Sequence, residues 1–177
     1  MKKILTLALA SVFCFGLMTP AFSQEKPVDP PDLKVGDMVP DFKLKNAITG
    51  ESFSYIKDFK GKKPYSVVVF MNTGCSSCLA ELMELKDALK DKKDKVNFVA
   101  IAVDKRGEEV VKAYYDSYKI DATYLVDANF TIPPLFGFSY TPAMFISNNG
   151  KIVFMKGGYN PNRDNGKLAE QVNKIIK

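Results

Sequence analysis

From Ser66 onward the apolar positions switch between strand-like and helix-like spacing, and each switch marks an element. The unbroken run Val67-Val68-Val69-Phe70-Met71 predicts a central strand covered on both faces. Beyond it Cys78, Leu82, Leu85 and Leu89 share one face at helical spacing, so a helix is predicted from about Ser76 to Lys90. Val96 to Val103 predicts a second buried strand. Glu108 to Tyr118 predicts a helix with Val110, Val111, Tyr114, Tyr115 and Tyr118 inward. Strand, helix, strand, helix implies a parallel sheet. Ala122 to Val126 reads as an edge strand, and the stretch to Tyr140, with Pro133-Pro134, as a partly helical connection.

The two ends of this block follow other rules. Ala143 to Ile146 and Lys151 to Met155 are joined through Asn148-Asn149-Gly150, and Asn-Gly is the strongest short hairpin signal, so these strands are antiparallel. A last helix carries Leu168, Val172, Ile175 and Ile176 on one face. Upstream, residues 36–53 suggest a short hairpin of half-buried strands turning near Gly50, and Ser54 to Phe59 a helical turn stopped by Gly61. The pattern is α/β: a central mixed β-sheet flanked by helices on both faces, with an N-terminal β-hairpin extension.

The 177 residues are 46% hydrophobic and 25% charged, enough for the core of one domain. Lys2-Lys3, the apolar run Ile4 to Met18, a break at Thr19-Pro20 and the small residues Ala21 and Ser23 have the layout of a secretory signal. The expected organisation is a signal peptide over 1–23, a Pro-rich leader over 24–34 and one domain over 35–177, with a mature start at Gln24 and a periplasmic or otherwise exported location. Contact with a membrane is then expected only through export or an uncleaved signal. Losing residues 1–23 removes Lys2, Lys3 and no acid, which takes the net charge from +5 to +3. Cations and acids alternate, as in Lys90-Asp91-Lys92-Lys93-Asp94-Lys95, which is a solvated helix end and no nucleic-acid surface.

Asn72-Thr73-Gly74-Cys75-Ser76-Ser77-Cys78 joins the first buried strand to its helix. Cys75 falls where backbone N–H groups lack intrahelical partners and the helix dipole favours a negative charge, so a thiolate is stabilised there. Cys78 heads the buried stripe. Exposed Cys75 is therefore expected to attack and sheltered Cys78 to resolve the mixed disulfide. Other readings compete. Structural zinc needs four Cys or His ligands, but the chain has no His and only Cys14 besides the pair, so no metal is expected. A purely structural disulfide closing so short a loop yields about 2 kcal/mol, against about 4.7 for a loop of about 100 residues. Two inert core thiols would not call for Gly74 before the pair and Ser76-Ser77 between them. Outside the cytosol dithiols oxidise, so a working pair needs a supplied reductant or oxidant.

The cysteine pair after a central strand, Thr141-Pro142 opening a later strand and the Asn-Gly hairpin together resemble the thioredoxin fold. More narrowly, Gly36, Val39-Pro40-Asp41-Phe42, Leu44, Gly50 and Lys60-Gly61-Lys62 resemble the exported thioredoxin-like proteins of the TlpA/ResA type, related to the AhpC/TSA group, from about Val35 to the C-terminus. The resemblance implies a thiol-disulfide oxidoreductase with no cofactor, reducing client protein disulfides with electrons from a membrane thiol carrier. Helping cytochrome c maturation is one such role in the family. It also implies that Pro142 is a cis-proline and that Thr141 offers its backbone to an extended client, with Gly74 and Ser76 completing the binding surface.

The chain departs from that pattern in several places. Gly74 stands where a Trp usually precedes the first cysteine, and Val69 where many thioredoxins bury an Asp. Ser76 and Ser77 leave out the usual proline, so a further backbone N–H is expected to reach the Cys75 sulfur. Glu81 is a candidate for the proton-handling role, against the expectation that it is a solvated surface residue. These departures keep open a thioredoxin-fold binding module or chaperone without redox turnover. A peroxidase of this fold typically has a Thr where Asn72 stands, and copper-delivery relatives need a His.

Overall fold

The computed structural model describes residues 32–177. The predicted signal peptide, its Cys14 and the leader up to Pro31 lie outside the described residues. The elements in order are β1 (Lys43–Asn46), β2 (Ser52–Ser54), α1 (Tyr55–Asp58), β3 (Tyr65–Met71), α2 (Ser76–Leu89), β4 (Val96–Ala102), α3 (Glu108–Tyr118), β5 (Thr123–Val126), a 3-10 turn (Pro133–Phe136), β6 (Ala143–Asn148), β7 (Lys151–Gly157), α4 (Pro161–Asp164) and α5 (Lys167–Ile175).

One seven-stranded sheet runs in the order β2-β1-β5-β4-β3-β6-β7. β3 pairs parallel with β4, and β4 with β5, as strand-helix-strand connections require. β6 lies antiparallel to β3 and to β7, which it meets through a turn with Asn149 at φ 49° and Gly150 at φ 81°.

The sheet separates two apolar layers. Val67, Val69 and Met71 pack with Leu82, Leu85, Val111, Leu168 and Val172 beneath α2, α3 and α5. Val68 and Phe70 face the other way, toward Val39, Phe42, Tyr55 and Phe136 from the N-terminal segment, α1 and the 3-10 turn. Helices flank both faces, but the long ones share one. Phe136 stacks on Phe145 with ring centroids 4.4 Å apart, closing the second layer.

Three expectations change. Ala122 to Val126 is not an edge: β5 sits between β4 and β1, because Lys45 and Asn46 of the N-terminal hairpin pair with Val126 and Leu125. The hairpin is shorter than predicted, β1 with β2 only. Gly36 to Val39 instead bond the far edge, with Gly36 N–H donating to Ile152 O and Val39 N–H to Gly150 O, each at 2.8 Å. Val39 and Phe42 are buried as the chain crosses the second face, which is why the segment reads as half-buried strand. In α3, Val111 and Tyr114 are buried, but Tyr118, in the last turn, is exposed.

Candidate active site

The β3–α2 junction places the two cysteines as their spacing demands. Cys75 is the N-cap of α2, in extended conformation, and Cys78 lies in the first turn, fully buried. They form a disulfide with Cα atoms 5.2 Å apart. The Cys78 backbone N–H donates to Cys75 Sγ at 3.1 Å, so the sulfur occupies the position of an N-capping oxygen. The Ser76 and Ser77 N–H groups make no such bond among the described residues; instead the Ser77 hydroxyl lies 3.4 Å from the sulfur. The extra backbone donor expected from the missing proline is thus replaced by a side chain.

Asn72 organises the approach. Its carbonyl accepts the Cys75 N–H at 3.0 Å, its Oδ1 accepts the Gly74 N–H at 3.0 Å, and its Nδ2 donates to Val103 O at 3.2 Å. Gly74 and Ser76 are exposed on either side of Cys75. Across the sheet, the register Phe70↔Ala143 brings Thr141 and Pro142 to the same end. The Thr141-Pro142 peptide is cis, and Pro142 O accepts the Gly158 N–H at 2.7 Å. Thr141 makes no backbone hydrogen bond among the described residues, so its N–H and C=O are free at the mouth of the site. The next residue outward, Tyr140, is 56% exposed and rests against Gly157 and Gly158, where an added Cβ on Gly157 would come within 3.0 Å of Tyr140 Oη. The spacing of the sequence gave no sign that an aromatic would stand there.

Glu81 is the main correction. It is fully buried, not a solvated surface residue, because it lies on the Cys78–Leu82–Leu85 face of α2. Neither carboxylate oxygen has a hydrogen-bond partner among the described residues. Burial pushes its pKa up to about 8; Lys156 pulls it down, and Glu84 and Asp164 push it further up. Lys156 is itself engaged, 3.6 Å from Asp164 and donating to Gly158 O. The buried acid missing at Val69 is therefore supplied from the helix. Its one sequence signal is the i, i+3 spacing from Cys78.

A second network escaped the sequence reading. Asp104, after β4, is buried and accepts from the Thr73 hydroxyl and from Arg106 Nε at 2.9 Å and Nη2 at 2.8 Å. The Arg106 hydrogen bonds hold its carboxyl well below the usual carboxylate range. An acid just past the carboxyl end of a strand beside the cysteine strand was the available signal. Among the described residues no group of three or more His, Cys, Asp or Glu side chains is placed to hold a metal.

A disulfide capping the helix that follows a central strand, with a cis-proline opening the neighbouring strand, defines the thioredoxin-like class. The profile of the AhpC/TSA family matches residues 35–155, and the chain belongs to that family. Thiol-disulfide oxidoreductase ResA of Oceanobacillus iheyensis is 32% identical over 123 residues, which cover 67% of this chain and 62% of ResA, so the chain spans less than two thirds of that relative. In structure it is similar to a candidate thiol:disulfide interchange protein DsbE from Chlorobium tepidum (TM-score 0.70, 22% identity, 82% of this chain and 99% of that one). It is also similar to an uncharacterized thioredoxin-like protein from Porphyromonas gingivalis (TM-score 0.64, 27% identity, 78% of this chain and 91% of that one).

Proposed function

We propose that the chain is an exported thiol-disulfide oxidoreductase that reduces disulfides in client proteins. The observation that carries this reading is the asymmetry of the pair: Cys75 half-exposed with an N–H directed at its sulfur, and Cys78 sealed beneath it. In the reduced protein the Cys75 thiolate attacks one client sulfur, forming a mixed disulfide and releasing the other client sulfur as thiolate. Cys78 then gives up its proton and attacks Cys75 Sγ. The bond to the client breaks, the second client thiolate leaves, and the protein ends as the Cys75–Cys78 disulfide. The client has gained two electrons, and a dithiol donor in the membrane supplies two more to the pair, becoming a disulfide itself.

The free backbone of Thr141 beside Pro142 supports strand-like pairing with an extended client, with Gly74 and Ser76 flanking the sulfur. Lys2-Lys3 and the apolar run after them support export. The haem-accepting cysteines of a c-type cytochrome are one client of this class.

Cys78→Ala tests the proposal, since it leaves the attacking sulfur in place and removes the resolving one. Mixed disulfides on Cys75 are expected to accumulate with exported proteins and to be released by dithiothreitol. A proteome without trapped partners, together with undiminished client binding by the Cys75→Ser, Cys78→Ser double variant, would instead establish a binding module or chaperone without turnover.

A further inference from the structure

The loop after β4 reaches the residues just before Cys75. The Asp104 side chain, 3% exposed, takes the Arg106 backbone N–H at 3.1 Å besides the Arg106 Nε and Nη2 contacts. The same Nη2 donates to Thr73 Oγ1 at 2.7 Å, while that hydroxyl donates to Asp104. A guanidinium is a rigid planar fork, so contacts on two residues fix its plane as well as its position. The Nε hydrogen and both Nη2 hydrogens are spent. Nη1 has no partner among the described residues, and the side chain is 62% exposed.

An ordinary surface arginine is mobile and must lose conformational freedom to bind anything. Arg106 has already lost it. Its ion pair with Asp104 is a dipole whose anionic end is buried and whose cationic end faces solvent. Neighbouring Lys105 is also exposed, and Glu108, in the first turn of α3, is engaged by Lys45 at 2.9 Å; exposed Glu109 follows.

The strand order places this cation relative to the sulfur. Arg106 follows β4, Cys75 follows β3, and Thr141 precedes β6, and these three strands are consecutive in the sheet at about 4.8 Å spacing. Arg106 Nη2 holds Thr73, two residues before Cys75, so the cation stands on the β4 side of the loop that carries the sulfur, while Thr141 stands on the β6 side.

We propose that Arg106 is a specificity-determining residue that receives an acidic side chain of the client, so that preferred substrates carry Asp or Glu near the cysteine that Cys75 attacks. This rests on the oxidoreductase reading and adds the class of substrate to it. The client carboxylate accepts the unused Nη1–H groups, and the interaction is made in the encounter and in the mixed disulfide.

The test uses the reduced full chain and three synthetic peptides that each hold one disulfide and differ only in Glu, Gln or Lys beside the cysteine. The readout is the ratio of second-order rate constants, which a uniform loss of activity does not move. For the unmodified chain the Glu peptide is expected to react about fivefold faster than the Lys peptide at low salt, the upper end for an exposed ion pair. That ratio should collapse in about 1 M salt, where screening acts over about 3 Å. Arg106→Gln should bring it near one, Arg106→Glu should invert it, and Arg106→Lys should keep its direction. A ratio unchanged across the variants, or Arg106→Glu slowing all three peptides by one factor, overturns the proposal. Equal reduction of all three peptides by the unmodified chain overturns it while leaving the oxidoreductase reading intact; reduction of none removes that reading itself.

Discussion

Glu81 lies one turn of α2 beyond Cys78 and is as completely buried, yet neither of its carboxylate oxygens has a hydrogen-bond partner among the described residues. An ionised carboxylate left without partners in such a place is costly, so the group keeps its proton to about pH 8. In the proposed reaction Cys78 loses a proton when it resolves a mixed disulfide and regains one when the pair is reduced, and Glu81 stands one turn away on the same helix.

This makes Glu81 the source of a pH-dependent stability. Between its ordinary value of 4.5 and about 8, the unfolded chain has released the Glu81 proton while the folded chain holds it. The folded state binds more protons, so stability falls as pH rises through that window, by about 1.4 kcal/mol per pH unit. Glu81→Gln should remove the slope and be more stable than the unmodified chain at pH 8. Urea denaturation of the disulfide form at several pH values reads this directly, and parallel profiles for the two proteins would reject it. In reduced protein the same variant should slow release of a mixed disulfide and change the pH profile of that step.

Cys75 should alkylate much faster than Cys78 in reduced, folded protein, because its sulfur is half-exposed and capped by the Cys78 N–H. Limited alkylation of the reduced, folded chain, with the label on each cysteine quantified separately, checks this. Labelling no faster than a model thiol would remove the activation argument.

Asp104 predicts an acid limb of opposite sign. Its folded pKa is depressed, chiefly by the Arg106 hydrogen bonds, so its contribution is fully present above the ordinary carboxylate value and is lost as pH falls through the folded one. Asp104→Asn should cost about 1.5–3 kcal/mol at neutral pH. The gap between variant and unmodified chain should narrow in strong acid. A constant difference from pH 7 down to about 2 would show that the charge is not responsible.

Glu84 ties α5 to the cysteine helix: it accepts the Tyr159 hydroxyl at 2.5 Å and the Ala169 N–H at 2.8 Å. Glu84→Gln and Tyr159→Phe should each lower stability by about 1.5–3 kcal/mol, the worth of a hydrogen bond to a charged group. Amide exchange should quicken first in α5, with Cys75 alkylation unchanged. Uniform faster exchange across the sheet would mean that the bond is not a local clasp.

Local patterns carried most of the architecture. Period decided the elements: the valine run became β3, the Cys78–Leu82–Leu85–Leu89 stripe became the buried face of α2, and Asn149-Gly150 became the turn between β6 and β7. Cys75 and Cys78 were legible for the same reason, since a helix start and a helix face are properties of a few consecutive residues. Chain neighbours do not reveal which strand covers which edge. β5 looked terminal because its partner, β1, lies far upstream, and the stretch from Gly36 looked like the first strand of a hairpin because Val39 and Phe42, which a crossing loop buries, are apolar among polar neighbours.

What the sequence by itself determined is therefore the set of elements, their parallel-then-antiparallel arrangement and the position of the sulfurs, all of which follow from spacing within single elements. Only the tertiary structure decided the environment of the site. Glu81 changes from surface residue to buried acid because β7 and α4 bring Lys156 and Asp164 to its side of α2, and Arg106 becomes a fixed cation because the loop after β4 meets Thr73. Burial and charge at a site are sums over groups distant in the chain, and those sums exist only once the sheet has assembled them.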